Sequence, residues 1–338
     1  MDPVAALRRI AFLLERQVAP TYRVKAFRSA SLVAAGMTED ELRARAAAGS
    51  LKDLPGIGPK TAGVIEQALA GGTPDYLADL EATAGPLATG GEDLRAALRG
   101  DLHSHSDWSD GGSPIEEMAM TAAELGHEYL ALTDHSPRLT VANGLSVERL
   151  YKQLRIVRAV NKHFDDFTLL SGIECDINED GTLDQTDELL GTVDIVVGSV
   201  HSKLRASSAV MTKRMLAGIA SPYIDVLGHC TGRLVTGGRG TRPESQFDAD
   251  AVFSACAERG VAVEINSRPE RLDPPKRLLR QAVETGCLFS IDTDAHAPGQ
   301  LDFQSYGTAR AVECGVPEDR IINTWPLEQL LEWTRRSR

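Results

Sequence analysis

Apolar residues recur in short runs along most of this chain, and their spacing differs between its two ends. Near the N-terminus, Leu7, Ile10 and Leu14 follow one another at close to the helical period. Thr38, followed three positions later by Glu41, fits a capping box at the start of a further helix. The N-terminal part of the chain is therefore predicted to be all α-helical.

Beyond residue 100 the pattern changes to seven short apolar runs separated by helix-like stretches. Strand-then-helix repetition is typical of a parallel sheet, and seven such units predict a closed or nearly closed (β/α) barrel. The predicted strands lie around 101–102, 129–132, 169–173, 195–197, 224–227, 261–265 and 288–291. The fold class is thus predicted to be α/β, with a small all-α domain in front of the barrel.

The boundary between these regions is rich in glycine, alanine, threonine and proline, as in GGTPDYL and TAGPLATGG, which is typical of a linker. We predict a helical domain at 1–80, a linker at 81–99 and a barrel domain at 100–338. Charge follows the same division. The first 70 residues carry a net charge of +3 although the whole chain carries −12, so the two regions are expected to have different roles.

Residues that commonly bind metals follow most of the predicted strands. Among the eight histidines, only His127 and His163 do not. In a (β/α) barrel the C-terminal strand ends converge on one mouth, so residues far apart in sequence are expected to meet there. The residues that we expect to meet are His103, His105, Asp110, His135, Glu174, His201, His229, Asp294 and His296.

This set is suited to divalent cations, because imidazole and carboxylate groups are natural ligands of Zn²⁺, Mn²⁺ and Fe²⁺. A carboxylate such as Glu174 is able to bridge two cations and hold them about 3.5–4 Å apart. Two assignments stay open at this point. Asp292 competes with Asp294 as a ligand, and Asp110 lies in an Asp-Gly-Gly sequence that also fits an ordinary turn.

Composition narrows the class of protein. The hydrophobic content of 42% and charged content of 25% are ordinary for a globular protein. No apolar run approaches the roughly 20 residues needed to cross a bilayer, and Arg8 and Arg9 interrupt the only apolar stretch at the N-terminus. The five cysteines are scattered, without a C-x-x-C pair. We therefore expect a cytoplasmic protein with reduced thiols and no disulfide.

Six motifs in the predicted barrel together resemble the PHP (polymerase and histidinol phosphatase) domain. They are D-L-H-S-H-S-x-x-S-D-G at 101–111, L-T-D-H-S at 132–136, G-I-E at 172–174, G-S-V-H-S at 198–202, G-H at 228–229 and D-A-H at 294–296. The resemblance covers residues 100–338. It implies a distorted seven-stranded (β/α) barrel that binds three divalent metal ions (Zn, Mn or Fe) through nine ligands.

The resemblance also implies how the nine ligands are shared among the cations. The three implied sets are His103, His105, Glu174 and Asp294; Glu174, His201 and His229; and Asp110, His135 and His296. Because all nine positions are filled, the sequence does not suggest the metal-free PHP domains that serve as scaffolds.

Further stretches are similar to bacterial family X DNA polymerases, which end in a PHP domain; in the barrel they lie at 228–234, 264–273 and 323–331. At the N-terminus, residues 19–30 and 50–62 are similar to that family's helical DNA-binding domain. The sequence L-P-G-I-G-P-K at 54–60 implies a helix–hairpin–helix, whose glycines let backbone N–H groups approach a DNA phosphate; a plain Pro-Gly turn is the alternative. The expected DNA contacts, which are independent of base sequence, are Gly56, Gly58, Lys60, Lys25 and Arg28.

The chain departs from those polymerases in several places. The segment between the two regions leaves no room for a polymerase palm, and Asp248 and Asp250 sit at a predicted helix start, where acidic residues are favoured. Polymerase activity is therefore not expected. Cys230 stands where relatives usually have proline, and it is interpreted as a buried inert thiol or as an additional soft ligand. Leu204 stands where relatives often have phenylalanine.

These features predict a metal-dependent phosphoesterase that hydrolyses phosphodiester bonds at DNA 3′ ends, as a 3′–5′ exonuclease or end-processing enzyme in DNA repair. The predicted catalytic residues are Glu174, His105, Arg233 and Arg268, and the predicted phosphate contacts are Lys203, Arg233, Arg268 and Arg271. Asn266 is expected to orient substrate or to bond at its strand end. Two alternatives stay open, a small-molecule phosphomonoesterase of the histidinol phosphatase type and a DNA-binding accessory module with a structural barrel.

Overall fold

The computed structural model describes residues 1–238 and 240–336. Arg239, Ser337 and Arg338 lie outside the described residues, and with them the last two positions of the predicted domain 100–338. The chain divides into two compact units, Met1–Pro86 and Leu87–Arg338. No described helix combines the length and the apolar character needed to span a membrane.

Five α-helices make up the N-terminal unit: α1 Pro3–Arg16, α2 Thr21–Ala35, α3 Glu39–Ala47, α4 Pro59–Leu69 and α5 Asp75–Thr83. The predicted capping box is confirmed at α3, where Thr38 Oγ1 accepts from the Glu41 N–H at 3.3 Å and Glu41 Oε2 accepts from the Thr38 N–H at 2.8 Å. The predicted apolar stripe of α1 is also confirmed, because Leu7, Ile10 and Leu14 are fully buried. Helix packing around this stripe forms the core of the unit.

Seven parallel strands form the sheet of the C-terminal unit, in the order of the chain. They are β1 Gly100–Ser104, β2 Tyr129–Leu132, β3 Thr168–Asp176, β4 Ile195–Ser199, β5 Val226–Leu227, β6 Ala262–Asn266 and β7 Phe289–Asp292. Ser104 forms an isolated parallel bridge with Ala295, just beyond β7, so the sheet is nearly closed into a barrel. The predicted seven-stranded (β/α) barrel is confirmed.

Helices lie before the first strand, between successive strands and after the last. They are α6 Glu92–Ala97, α7 Ile115–Glu124, α8 Val147–Val160, α9 Asp187–Leu190, α10 Ser208–Ile219, α11 Ala249–Arg259, α12 Lys276–Thr285, α13 Gln304–Glu313 and α14 Leu327–Thr334. Every residue of six of the strands is buried, and β3 is buried except at two positions. Such strands are covered by helices on one face and by the side chains of the barrel interior on the other. Because both faces are buried, their sequences are continuous apolar runs.

The predicted linker at 81–99 contains more secondary structure than its composition suggested. Helix α5 continues to Thr83, across the predicted domain end at residue 80, and α6 occupies Glu92–Ala97. Gly91, one of the residues interpreted as linker, packs so closely that a Cβ there would lie 2.4 Å from the backbone nitrogen of Ala309. At this position glycine serves packing rather than flexibility.

Candidate metal centre

All nine predicted ligands come together at the C-terminal mouth of the barrel. Candidate ligand atoms in three overlapping sets lie within 4.8 Å of one another. The sets are His103, His105 and Asp294; His135, Glu174 and His201; and His105, Asp110, His135 and His296. His229 adjoins them, because its Nε2 lies 2.9 Å from Glu174 Oε1.

Glu174, on β3, is fully buried, and each of its carboxylate oxygens faces more than one imidazole. Oε2 lies nearest to His135 Nδ1, at 2.7 Å. Oε2 also lies 3.4 Å from His103 Nε2 and 3.6 Å from His105 Nε2. Its Oε1 lies 3.2 Å from His201 Nε2 and 2.9 Å from His229 Nε2. This is the arrangement that a carboxylate shared by two cations requires.

The solvent-facing side of the cluster is formed around Asp110. Its Oδ1 lies 3.4 Å from His135 Nε2 and 3.3 Å from His296 Nε2. The Asp110 side chain is 33% exposed, whereas that of Glu174 is inaccessible. The set that contains Asp110 is therefore the most accessible to solvent through this side chain.

Many buried polar atoms of the cluster have no hydrogen-bond partner among the described residues. They include His103 Nε2, both ring nitrogens of His105 and of His201, and both carboxylate oxygens of Glu174. Leaving one buried polar atom unsatisfied costs about 1–3 kcal/mol. Divalent cations would satisfy these lone pairs together, so the residues fit the metal ions that the sequence predicts.

The electrostatics of the site favour the metal-binding protonation states at Glu174 and His105, whereas at His103 and His201 the effect of burial is outweighed by nearby carboxylates, which raise the pKa of both imidazoles. Burial alone would raise the pKa of Glu174, but the charges of neighbouring histidines hold that pKa well below its usual range. Burial, together with repulsion from His296 and His135, keeps the pKa of His105 well below its ordinary value. An ionised carboxylate and a neutral imidazole are the ligand forms that metal binding needs.

Two buried carboxylates that sequence reasoning missed orient the histidines. Glu264 Oε1, on β6, lies 2.6 Å from His103 Nδ1. Asp176 Oδ1, at the end of β3, accepts from the His201 N–H at 3.1 Å and lies 3.3 Å from His201 Nδ1. Metal-binding histidines usually place their second ring nitrogen against such a group. The signal in the sequence was an acidic residue inside an otherwise apolar strand, in V-E-I and C-D-I.

The structure separates the two aspartates that the sequence left in competition. Asp294 Oδ1 lies 3.2 Å from His105 Nε2, within the cluster. Asp292 is equally buried, but its Oδ1 accepts from the Leu102 N–H and from Asn323 Nδ2, both at 2.9 Å. Asp292 therefore ties β7 to β1 by hydrogen bonds, and Asp294 is the residue that faces the histidines.

A cavity of about 160 Å³ opens over the cluster, and Arg268 and Arg271 line it. Arg268 Nη1 donates to the Asp294 carbonyl at 3.1 Å and lies 2.8 Å from His296 Nδ1. Arg271 Nε donates to Asp294 Oδ2 at 3.1 Å. Arg242, which sequence reasoning did not single out, lines the same cavity.

Two predicted phosphate contacts, Arg233 and Lys203, are not among the described residues that line this cavity. Arg233 Nε donates to the Arg271 carbonyl at 3.0 Å and its Nη2 bonds to the Leu272 carbonyl. Its guanidinium thus supports the loop that carries Arg271, and these bonds favour a supporting role for Arg233 over the predicted catalytic one. Lys203 lines a separate cavity together with Met211.

The contacts of Asn266 and Cys230 indicate structural roles for both residues. Asn266 donates from Nδ2 to Asp294 Oδ2 at 3.2 Å and accepts from the Arg268 N–H at 3.2 Å, so it positions both residues. Cys230 is buried 3.9 Å from Asp273 Oδ1, and burial holds the pKa of its thiol well above the ordinary value. A neutral buried thiol is inert, which favours the first of the two interpretations of Cys230.

In the N-terminal unit, the five residues predicted to contact DNA fall into two groups. Gly56, Gly58, Lys60 and Lys25 are exposed, and Gly56 has the positive φ of +92° that favours glycine. Arg28 is buried instead and donates to both carboxylate oxygens of its partner, at 2.8 and 2.6 Å. That partner is Glu15 on α1, and because its carboxylate already holds the guanidinium, the structure does not favour a DNA contact at Arg28.

Comparisons with known proteins agree with this architecture. Residues 101–268 match the model of the PHP domain and residues 1–74 that of a helix-hairpin-helix domain. The DNA polymerase/3′–5′ exonuclease PolX of Bacillus subtilis is 37% identical over 240 residues, which are 71% of this chain and 41% of PolX. The chain thus aligns with less than half of that relative.

Shorter relatives align over most of their own length. A probable phosphatase of Thermoanaerobacter sp. is 27% identical over 237 residues, which are 66% of this chain and 89% of the relative. A solved histidinol phosphate phosphatase from Lactococcus lactis, complexed with zinc, L-histidinol and phosphate, covers 64% of this chain and 94% of its own at 20% identity and a TM-score of 0.47. Residues 101–268 of this chain therefore form a PHP domain, and residues 1–74 form an N-terminal helix-hairpin-helix domain.

Proposed function

We propose that this chain hydrolyses phosphodiester bonds at DNA 3′ ends, as a 3′–5′ exonuclease or end-processing enzyme in DNA repair. The observation that carries the proposal is the presence, in one chain, of the nine-residue cluster and a helix-hairpin-helix domain. An enzyme that acts on a small phosphomonoester would not require a helix-hairpin-helix domain. The similarity to a relative whose name includes a 3′–5′ exonuclease supports the same substrate class.

We assign three divalent cations, Zn, Mn or Fe, to the cluster. Their ligands are His103, His105, Glu174 and Asp294; Glu174, His201 and His229; and Asp110, His135 and His296. Divalent cations in such sites lower the pKa of water towards about 7 and stabilise the oxygen that leaves phosphorus. Ligand sets of histidine and carboxylate accept several metals, so the choice among the three ions is left to experiment.

The residues of the chain supply positioning and charge around the reacting phosphate. Glu174 keeps the first two ligand sets at a fixed separation through its two oxygens, and His105 belongs with it to the proposed catalytic group. Arg268 and Arg271 border the cavity in which the phosphate would lie. A guanidinium has five N–H donors. The bonds to Asp294 and His296 use only part of this capacity, so donors remain for phosphate oxygens.

Binding to DNA is assigned to the exposed part of the helix-hairpin-helix. Gly56 and Gly58 precede helix α4, whose N-terminus favours an anion, and Lys60 and Lys25 are exposed positive charges. The Gly58 N–H already donates to Thr61 Oγ1 at 3.0 Å, so it is not the donor to phosphate. Such backbone contacts do not read sequence and weaken with salt.

A phosphomonoesterase activity is the second candidate. The observation that favours it is the alignment of the barrel with probable phosphatases over nearly their full length. The cluster would act in the same way on a monoester. The two candidates therefore differ in substrate and not in chemistry.

The test is one parallel assay of the full chain supplied with Mn²⁺ or Zn²⁺. The substrates are 3′-labelled single-stranded DNA, a duplex with an abasic site and histidinol phosphate, and His103→Ala is the inactive control. We expect release of the 3′ label from the DNA, which EDTA abolishes and added metal restores. A Lys25→Ala/Lys60→Ala variant should lose activity on DNA only. Rapid turnover of the monoester with intact DNA would reject the DNA assignment.

A further inference from the structure

A second, larger cavity lies beside the one over the metal cluster. It measures about 540 Å³, compared with about 160 Å³ for the first. Arg242, Arg268 and Arg271 line both cavities, so the two lie next to each other. A substrate held over the cluster would therefore lie beside the larger cavity, which is here called the arginine groove.

The arginine groove is positively charged although the chain as a whole carries −12. Arg205 joins the three shared arginines in its lining, and Glu270 is the single carboxylate among the described lining residues. Glu270 Oε2 lies 3.7 Å from Arg268 Nε, so it offsets one of these charges. Four guanidinium groups with one carboxylate make a strongly anion-binding surface.

The four arginines differ in how firmly they are held. Arg271 and Arg268, nearest the cluster, bond to Asp294. Arg242 Nε donates to the Gly232 carbonyl at 2.6 Å. Arg205 is exposed, and no hydrogen bond or ion pair to it occurs among the residues that the structure describes. It therefore offers its full set of donors to a ligand.

Another part of the groove lining comes from residues between Leu234 and Arg242. Leu234 and Arg242 exchange two backbone hydrogen bonds of 2.9 Å. Between them Thr236, Gly237 and Gly238 line the groove and are exposed, and Gly237 has a positive φ of +116°. Such a lining leaves backbone groups accessible, which suits the close approach of a polymer backbone.

We propose that the arginine groove binds the sugar–phosphate backbone of a single nucleic-acid strand next to the phosphate being hydrolysed. Arg205 and Arg242 would then be the residues that make this site prefer polynucleotides to phosphomonoesters, since a monoester carries no further phosphate to occupy them. The proposal rests on the DNA-directed function proposed above and names the part of the barrel that recognises this substrate.

The test measures how activity and binding depend on substrate length. The full chain with Mn²⁺ is given a thymidine dinucleotide and single-stranded oligothymidylates of four and eight nucleotides. Wild-type kcat/KM should rise with length. Arg205→Ala should reduce the preference for the longest strand over the dinucleotide by roughly fivefold, the effect of one exposed charge pair, and Arg205→Glu by more. Arg155→Ala, an exposed arginine on α8, is the matched control.

Salt dependence provides a readout that a merely structural role would not change. Loss of one phosphate contact should reduce the slope of log affinity against log salt by about 0.7 for a single strand. Affinity is measured by fluorescence anisotropy with a labelled oligothymidylate of eight nucleotides and no added metal. If length preference and salt slope are the same in Arg205→Ala and wild type, the groove proposal is overturned.

The failure of this inference is distinguishable from failure of the proposed function. If wild type cleaves only histidinol phosphate, the DNA-directed function fails, whatever Arg205 does. If wild type degrades the oligothymidylates and Arg205→Ala does so with unaltered length preference, only the groove assignment fails. Binding of inorganic polyphosphate equal to that of oligothymidylate, equally weakened by Arg205→Ala, would reject the nucleic-acid strand as the specific occupant.

Discussion

Glu264 Oε1 lies 2.6 Å from His103 Nδ1, so a carboxylate on β6 fixes the ring of a histidine on β1. The other Glu264 oxygen accepts from the backbone N–H of His229. One side chain therefore orients two proposed ligands that are 126 positions apart in the sequence. A contact of this kind raises the basicity of a metal-binding imidazole and fixes its tautomer.

Glu264→Gln should lower metal affinity by about 10–100-fold. Glutamine has nearly the same shape but only one acceptor oxygen, so it is unable to serve the His103 ring and the His229 N–H together. The measurement is metal content and affinity, by titration with Zn²⁺ after removal of metal with a chelator. Unaltered affinity in a folded variant would show that Glu264 plays no part in positioning the ligands.

Asp294→Asn and Asp292→Asn should have opposite consequences, although the residues are two positions apart. Asp294 faces the histidines, so its variant should lose one metal ion and at least about 100-fold in turnover. Asp292 bonds to the backbone of β1, and asparagine keeps the oxygen that accepts these bonds. The Asp292 variant should retain its metal content. Metal analysis of both variants tests which aspartate is the ligand. Metal loss from Asp292→Asn would contradict the assignment of Asp294 as the ligand.

Arg28→Ala should destabilise the N-terminal unit by about 3–5 kcal/mol, because it removes the guanidinium that bonds to both oxygens of the buried Glu15 carboxylate. The exposed pair of Arg43 with Glu39 is the matched control, and Arg43→Ala should cost less than about 1 kcal/mol. Urea unfolding followed by circular dichroism measures both. A loss of similar size in the two variants would contradict the structural role of Arg28.

Lys60→Ala should weaken DNA binding without a comparable loss of stability. Its Nζ lies 3.8 Å from the centre of the Tyr76 ring but stays exposed, so it remains available to a phosphate. We expect the slope of log affinity against log salt to decrease by about 0.9 on duplex DNA, the value for one phosphate contact. Anisotropy titrations at several salt concentrations give this slope, and Glu66→Gln on the exposed side of α4 serves as a control.

His127 should make the stability of the barrel unit depend on pH. Burial, with a contribution from the charge of Arg95, lowers the pKa of His127 to about 3. Between about pH 6.5, the ordinary pKa of histidine, and pH 3, the unfolded chain binds a proton at His127 but the folded chain does not. The free energy of unfolding therefore decreases as the pH falls through this range. The loss should approach about 1.4 kcal/mol per pH unit.

His127→Gln should flatten this dependence, and His163→Gln, at an exposed position, should not. Urea unfolding of metal-free protein between about pH 5 and 7 measures the slope without interference from metal loss. Equal slopes for wild type and His127→Gln would mean that His127 titrates normally in the folded protein.

The placement of the ligands is the part of the site that the sequence predicted well. Each predicted ligand follows or lies within a strand of regular spacing, and parallel strands necessarily bring their C-terminal ends to one side of the barrel. His103 and His296 therefore meet although 193 positions separate them. The capping box at Thr38 was predictable because both of its partners lie within one helical turn.

What sequence alone determined was thus the class of fold, the end of the barrel where the chemistry lies and the residue types gathered there, because these follow from local periodicity. The tertiary structure decided where individual side chains point. Arg28 and Arg233 are held by Glu15 and by loop carbonyls, and Glu264 faces His103 from a different strand. These partners are distant in the chain, and nothing in local spacing encodes the distance between them.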